Sequence, residues 1–387
     1  MATESNSLPY SVGNLADGAQ FDGESDVEIA VLNPSTGEEL ARFREASPAQ
    51  VDHAVRSAKQ ASKAWARTTP AARSDALRRI ADLFEANLEE FVRLESIDAG
   101  KPVDASRSIE VPGILDGIRF FAGAARSLSA PAAGEYVAGN TTLIRREPVG
   151  VVAAITPWNF PLMQAVWKIV PALAVGNAVV VKPAENAPLS TVRFVELANQ
   201  VLPAGVLNVV LGTGPTVGEA LVTHPDVALV SFTGSTRAGR RIAELAAAGT
   251  KRVVLELGGN APVVIFDDAD LDKAMPTLAT AVLFNAGQEC MSGNRIIVAE
   301  SIYDSFVARL SVALSEWTVG DTADESTQLG PLISAAQLAS VQKIVDGRPA
   351  HAELILGGDS PDRPGFFFNP TLIGRVLQTD DLVQNEV

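Results

Sequence analysis

FNAGQECMSGNR, residues 284 to 295, holds the only cysteine of a 387-residue chain, Cys290. A lone thiol makes no internal disulfide, and two readings stay open. One is a small buried hydrophobe, the commoner state of an isolated cysteine. The other is a nucleophile that adds to an electrophilic carbon. The three histidines give no metal-ligand spacing with it: His53 lies in a helical pattern, His224 in a THPD turn and His351 near a glycine-rich loop. No metal site is expected. Three turns could meet a nucleotide. Gly212-Thr-Gly-Pro-Thr-Val-Gly218 follows a strand, one residue too long for the dinucleotide fingerprint, and taken alone reads better as a tight strand-to-helix turn. Gly234-Ser235 opens a helix whose N–H groups could hold a phosphate. Lys182-Pro-Ala-Glu185 sets a cation and an acid beyond a strand, either as an exposed pair or with the acid on a ribose diol. Three such turns on one sheet edge favour a nucleotide.

The elements that must position these residues follow from periodicity. The first ~25 residues read as a mobile arm. NPSTG, residues 33 to 37, is a turn between two short strands, and residues 47 to 99 are helical, with Ser47 as N-cap, Pro48 at the first position, and Gly100 and Pro102 ending the run. A further helix covers 108 to 128. EYVAGNTTLIRREPVG, residues 135 to 150, reads as a hairpin turning at Gly139-Asn140 with too little apolar surface to pack alone. From Val149 onward short strands (VGVVAAIT, AVVVKPAE, LNVVLG, ALVSFTGS) alternate with helices at 162–174, 189–201, 215–223 and 236–248. That alternation is a doubly wound α/β domain, whose ligands sit beyond the carboxyl ends of the strands. RVVLELGGNAPVVIF turns the chain into a second region containing a helix before Cys290 and strands at ELILGG and FFFNPTL.

The composition is that of a globular protein, with 47% hydrophobic and 20% charged residues. A net charge of −15, from 31 basic and 46 acidic residues, argues against nucleic acid or an anionic membrane as partner. The N-terminus lacks a secretion signal, and the longest apolar run, IVPALAVGNAVVV, is too short to span a bilayer. Unpaired cysteine usage fits a reducing compartment. A soluble cytoplasmic protein is expected.

Four segments in this order, TPWNFP (156–161), FTGS (232–235), ELGGN (256–260) and FNAGQEC (284–290), resemble the aldehyde dehydrogenase superfamily, and the similarity runs from NPSTGEEL to the last residue. AAGEYVAGNTTLIRREPVGVVAAITPWNFPLMQAVWK and DESTQLGPLIS are similar to γ-aminobutyraldehyde dehydrogenases, with betaine aldehyde dehydrogenases as near neighbours. The resemblance implies a Rossmann-like NAD-binding domain (1–128 and 149–258), an oligomerisation hairpin (129–148) and an α/β catalytic domain (259–387). It implies that Cys290 adds to an aldehyde to give a thiohemiacetal, that Asn159 and the Cys290 N–H stabilise the oxyanion, and that Glu256 activates water to release the acid from a thioester. Glu256 also reads as a surface carboxylate at a strand end. Lys182 and Glu185 would hold the adenine ribose, Gly234 and Ser235 the pyrophosphate, and Trp158 and Glu386 the rest of the cofactor. Glu185 would repel a 2′-phosphate and so favours NAD over NADP.

The resemblance also implies a homodimer or homotetramer in a full-length form, with poorer assembly of the 387-residue chain, and an aldehyde substrate. An ω-aminoaldehyde such as 4-aminobutanal is one candidate, with Phe160, Trp167 and Phe284 offering faces to its cation and Glu110 an acid at the pocket mouth. An aliphatic or aromatic aldehyde is the other. Phe-Gly-Pro, expected after Glu386, is absent. The chain is therefore expected to be a fragment, or a shortened subunit impaired in turnover that serves only in nucleotide binding or assembly. A reductase of acyl-thioesters or acyl-phosphates would not need Glu256 as a base.

Overall fold

The computed structural model describes residues 12–127 and 133–387. The expected boundary between 128 and 129 lies outside the described residues. A seven-stranded sheet forms the centre, in the order Arg252–Leu257, Val227–Gly234, Val151–Ile155, Ala178–Lys182, Leu207–Val209, Asn14–Ala16, Ala19–Phe21. The first five are parallel, and the last two extend the edge antiparallel. The parallel part starts at Val151–Ile155 and builds outward to Leu207–Val209, then returns to the other flank with Val227–Gly234. The order therefore reverses between Val151–Ile155 and Val227–Gly234. At such a reversal the loops leaving the two strands diverge to opposite faces and open a crevice.

VVAAI and AVVVK are buried at every position. They are continuous apolar runs because both faces of the sheet are covered. Val152, Ala154, Val179 and Val181 pack on helices Pro70–Glu85, Val111–Ala124, Pro161–Ala174 and Leu189–Asn199. Their sequence neighbours Val151, Ala153, Ala178 and Val180 face the opposite way, toward helices Pro48–Trp65 and Thr236–Ala248, as the two-residue strand period requires. A third core, around Leu278, Leu283, Phe306 and Leu310, lies between helices Leu271–Leu283 and Tyr303–Ser315 beside the parallel pair Pro262–Ile265 and Arg295–Val298.

Several sequence expectations need correction. Residues 14–21 form the two outer strands rather than a mobile arm, held by Asn14 Oδ1, which accepts the Leu211 N–H at 2.7 Å; residues 1–11 lie outside the described residues. The helical stretch 47–99 is three helices, Pro48–Trp65, Pro70–Glu85 and Leu88–Ala99. Ser47 and Gln50 make a reciprocal capping box, but Thr69 caps afresh, accepting the Ala72 N–H ahead of Pro70. Gly100 ends the third helix at φ 72°, a left-handed conformation that glycine adopts without strain. The helix expected at 108–128 begins earlier, through a π-helical turn at Ser106–Glu110, and ends at Ala124. In the hairpin, Val137 pairs with Asn140, so the turn is Ala138-Gly139 rather than Gly139-Asn140. Only Gly139, at φ 74°, takes positive φ there. In FFFNPTL the strand starts only at Leu372, because Pro370 has no N–H to give to a ladder.

Candidate active site

The crevice at the reversal gathers the residues singled out from sequence. Ile155 pairs with Phe232, so Thr156 to Phe160 leave one strand beside Gly234 and Ser235 leaving the other. Thr233 pairs with Glu256 on the third strand of the flank. Ser235 caps helix Thr236–Ala248 by accepting the Ala238 N–H at 3.3 Å. A Cβ on Gly234 would stand 2.6 Å from the Phe232 ring, so the chain needs glycine there. Trp158 is half-buried in the loop.

Lys182 and Glu185 are not an exposed surface pair. The Lys182 ammonium is buried and donates to Gly212 O at 2.7 Å, Pro183 O at 2.8 Å and Glu185 Oε2 at 3.3 Å. Burial lowers its pKa, against the opposing pull of Glu185. Glu185 itself is half-exposed at the crevice edge. The turn at Gly212–Gly218 is already supplied with an anion: Glu45, buried and not picked out from sequence, accepts the Thr213 N–H at 2.7 Å and its hydroxyl at 2.9 Å. Of the three candidate turns, that one is closed by the chain's own carboxylate, and Gly234-Ser235 is the one that opens a helix toward the crevice.

The loop carrying Cys290 is strained and braced. After Leu283 the backbone runs left-handed through Asn285, Ala286 and Gly287, at φ 52°, 56° and 71°. Glycine takes this freely and asparagine tolerates it, but alanine pays on the order of 1–2 kcal/mol. Carboxamides hold the turn. Asn285 Nδ2 donates to Asn159 O at 2.9 Å and to Gln288 O at 3.2 Å, and Asn159 Nδ2 donates to Gln288 O at 2.9 Å. Gln288 Oε1 accepts the Ile333 N–H at 3.0 Å. An amide nitrogen carries two donors, so Asn159 keeps one N–H beyond its bond to Gln288.

Cys290 is exposed, which removes the buried-hydrophobe reading. Partial screening from water raises its thiol pKa, and the charges of Glu289, Glu256 and Glu386 add to the rise. Gly259 approaches the nucleophile segment: a Cβ there would stand 3.9 Å from Cys290 O. Glu386 lies against Gly258, where any Cβ would overlap its Oε2, and accepts the Gly259 N–H. Glu256 has an unforeseen neighbour in Lys168. That ammonium is buried, donates to Thr233 Oγ1 at 2.6 Å and Gln164 Oε1 at 3.4 Å, and is lowered to about 8 by burial against the attraction of Glu256. Its sequence signal was a lysine inside the apolar helix run MQAVWKIV.

The residues expected to take a substrate cation are placed differently from expectation. Glu110 is neither at a pocket mouth nor solvated. It is 2% exposed and paired with Lys101, which also meets Glu95 at 2.8 Å. Phe160 and Phe284 stack with ring centres 6.4 Å apart, while Trp167 is exposed on helix Pro161–Ala174. Among the described residues no group of His, Cys, Asp and Glu is suited to a metal ion, and no helix is long and apolar enough to cross a membrane.

A parallel sheet with a reversal crevice, a braced cysteine and a strand-end glutamate define an α/β enzyme built for thiol addition beside a nucleotide. The aldehyde dehydrogenase family model matches residues 21–387, and the chain belongs to that family. It is 43% identical over 385 residues to a phenylacetaldehyde dehydrogenase of Pseudomonas fluorescens, covering 96% of this chain and 76% of the relative. It is 39% identical to a betaine aldehyde dehydrogenase of Cereibacter sphaeroides, covering 97% of this chain and 78% of the relative. The crystal structure of betaine aldehyde dehydrogenase from Staphylococcus aureus in complex with NAD+ superimposes with a TM-score of 0.94 at 35% identity, covering 97% of this chain and 76% of that one.

Partial burial of Cys290, with the acids near it, makes a prediction about its titration. Alkylation of this sole cysteine by iodoacetamide, followed by intact mass from pH 6 to 10, should show a midpoint above the ~8.5 of a free thiol. A nearby carboxylate opposes the thiolate, so Glu289→Gln should move the midpoint down. A wild-type midpoint at or below the free value would contradict the assignment.

Proposed function

We propose that this chain carries out NAD-dependent oxidation of an aldehyde to a carboxylic acid, with Cys290 as nucleophile. The single observation that carries the proposal is the carboxamide junction that fixes Asn159 against the backbone two residues before Cys290. It ties Asn159 to the backbone two residues before Cys290 and leaves its amide a second N–H, the kind of donor an oxyanion formed by thiol addition requires.

The residues present fit a dinucleotide. The N-terminus of helix Thr236–Ala248 opens at the reversal, and its first N–H groups have no partner within the helix. Thr156 Oγ1 is buried there without a protein partner. Glu185 offers an acceptor-only carboxylate for ribose hydroxyls, with its position fixed by Lys182. Gly234 and Ser235 would hold the pyrophosphate, Lys182 and Glu185 the adenine ribose, and Glu386 and Trp158 the nicotinamide end. NAD bound there supplies the hydride acceptor.

The chain's own residues do the rest. The Cys290 thiolate adds to the aldehyde carbon, and Asn159 with the Cys290 N–H takes the charge on oxygen. Loss of hydride from that adduct leaves a thioester on Cys290. Glu256 removes a proton from water, which attacks the thioester and releases the acid. The same reading divides the chain into an NAD-binding domain (1–128 and 149–258), a hairpin for assembly (129–148) and a catalytic domain (259–387).

For the substrate, we favour an aryl or alkyl aldehyde over an ω-aminoaldehyde. One support of the aminoaldehyde reading, Glu110 as a free acid beside the aromatic faces, is removed: burial raises that carboxyl to about 8 and Lys101 occupies it. The Pseudomonas fluorescens relative, named for phenylacetaldehyde, supports the same preference.

Two measurements test this reading. In Glu256→Gln, phenylacetaldehyde and NAD should give a burst of about one NADH per chain, then a steady state slower by about 10²–10⁴-fold, with an acyl mass on Cys290. Unchanged steady-state turnover would refute the base. The hairpin leaves Tyr136 75% and Leu143 71% exposed, surface that a second copy would cover. Sedimentation should show an oligomer that dissociates when residues 135–147 are deleted, and a monomer before deletion would refute assembly through it.

A further inference from the structure

The carboxylate of Glu386 hangs from a segment that cannot direct it alone. Glu386 is exposed and follows Asp381–Gln384, a helix of 4 residues, too short to be stable by its own hydrogen bonds. The start of that helix is anchored. Val383 is buried, and Asp380 Oδ2 meets His351 Nε2 at 2.9 Å. Its end is held by the ELGGN stretch that follows Glu256. Asn260 Nδ2 donates to Val383 O at 2.8 Å and to Asn385 O at 3.5 Å. The two N–H groups of one carboxamide thus bracket the turn that leads into Glu386.

The same stretch fixes the end point. The Gly259 N–H donates to the Glu386 carboxylate, and Gly258 leaves room for it, since any Cβ there would overlap Oε2. Asn260 is braced in turn. Its backbone O accepts from Arg295 Nε at 3.4 Å, while Arg295 Nη1 donates to Gln378 Oε1 at 3.3 Å. The strand Arg252–Leu257, which carries Glu256, therefore runs into a clamp on the segment that carries Glu386.

We infer that Asn260 is a positioning residue for the nicotinamide end of the cofactor: its carboxamide holds the backbone of Val383 and Asn385 so that Glu386 stands over Gly258 and Gly259. This rests on the NAD reading for the role of Glu386. The clamp itself joins residues of this chain and needs no ligand. A carboxylate already in place accepts from ribose hydroxyls without being ordered first. Without Asn260 the ligand must order the segment as it binds, and its affinity falls by that cost.

The probes are NAD and ADP, titrated by calorimetry against the 387-residue chain. ADP has the adenosine and the pyrophosphate but lacks the second ribose. Asn260→Ala should raise the Kd for NAD about three- to tenfold, the usual cost of ordering an exposed side chain. Its Kd for ADP should stay within about twofold of wild type. Asn260→Asp keeps the size, removes both donors and should weaken NAD at least as much. In the Glu386→Ala background, adding Asn260→Ala should change NAD affinity by less than about twofold, since the two residues act as one. Hydrogen exchange without ligand reads the clamp directly. The amides of Val383, Gln384 and Asn385, bonded to the carbonyls of Asp380 and Asp381, should exchange at least about threefold faster in Asn260→Ala. Those of strand Arg252–Leu257 should not change.

Equal weakening of NAD and ADP overturns the inference, because Asn260 would then only support the fold. Additive losses with Glu386→Ala, or unchanged exchange at residues 383–385, also overturn it. A wild-type chain that binds neither NAD nor ADP would instead count against the dinucleotide reading and, with it, the role given to Asn260.

Discussion

Two hydrogen bonds, Asn159 Nδ2 to Gln288 O and Asn285 Nδ2 to Asn159 O, join pieces of chain more than a hundred residues apart. The candidate site depends on them. One piece is the loop leaving the central strand of the sheet, and the other is the left-handed turn that presents Cys290. Three consecutive residues at positive φ do not persist unless the surroundings over-determine them. The carboxamides of Asn159, Asn285 and Gln288 do so, and Gln288 is itself tied to the Ile333 backbone. The rigidity of the doubly wound sheet is thereby passed to a loop of the third core.

Electrostatics around this junction follow from burial more than from net charge. Lys101, Lys168 and Lys182 are buried lysines in a chain with an acid surplus, and each has found oxygen partners. Their positions differ in consequence. Lys182 steadies the carboxylate of Glu185 at the crevice edge, Lys168 feels the charge of Glu256, and Lys101 lies over the buried ring of Phe160. On the opposite side of the balance, partial burial raises the pKa of the Cys290 thiol, and the charges of Glu289, Glu256 and Glu386 add to that rise. The same three acids set the charge that any group entering the crevice must meet.

Much of this was legible in the sequence. The buried strands announced themselves as unbroken apolar runs, and the strand-to-helix turns fell at the expected edge. Asn159, Glu256 and Cys290 stood in motifs whose order carried the family. What escaped were contacts between separate elements of the fold. Glu45 filling the Gly212 turn, Lys168 beside Glu256, and Lys101 pairing with Glu110 are matters of which buried groups meet, and no local spacing records them. Glu110 was misplaced for that reason. The break between the first two helices was missed because amphipathic periodicity continued on both sides of Thr69-Pro70, while a new cap restarted the helix. The outer strands at residues 14–21 carry too little apolar surface to declare themselves and exist through pairing with Leu207–Val209.

The central claim is that a covalent adduct on Cys290 lies on the path to NADH. Its most direct test is Cys290→Ala, assayed for NADH formation with an aldehyde substrate and, separately, for NAD binding by titration calorimetry. The account predicts no NADH above the uncatalysed background, with NAD bound at the wild-type affinity. NADH formation at the wild-type rate in that variant would contradict it.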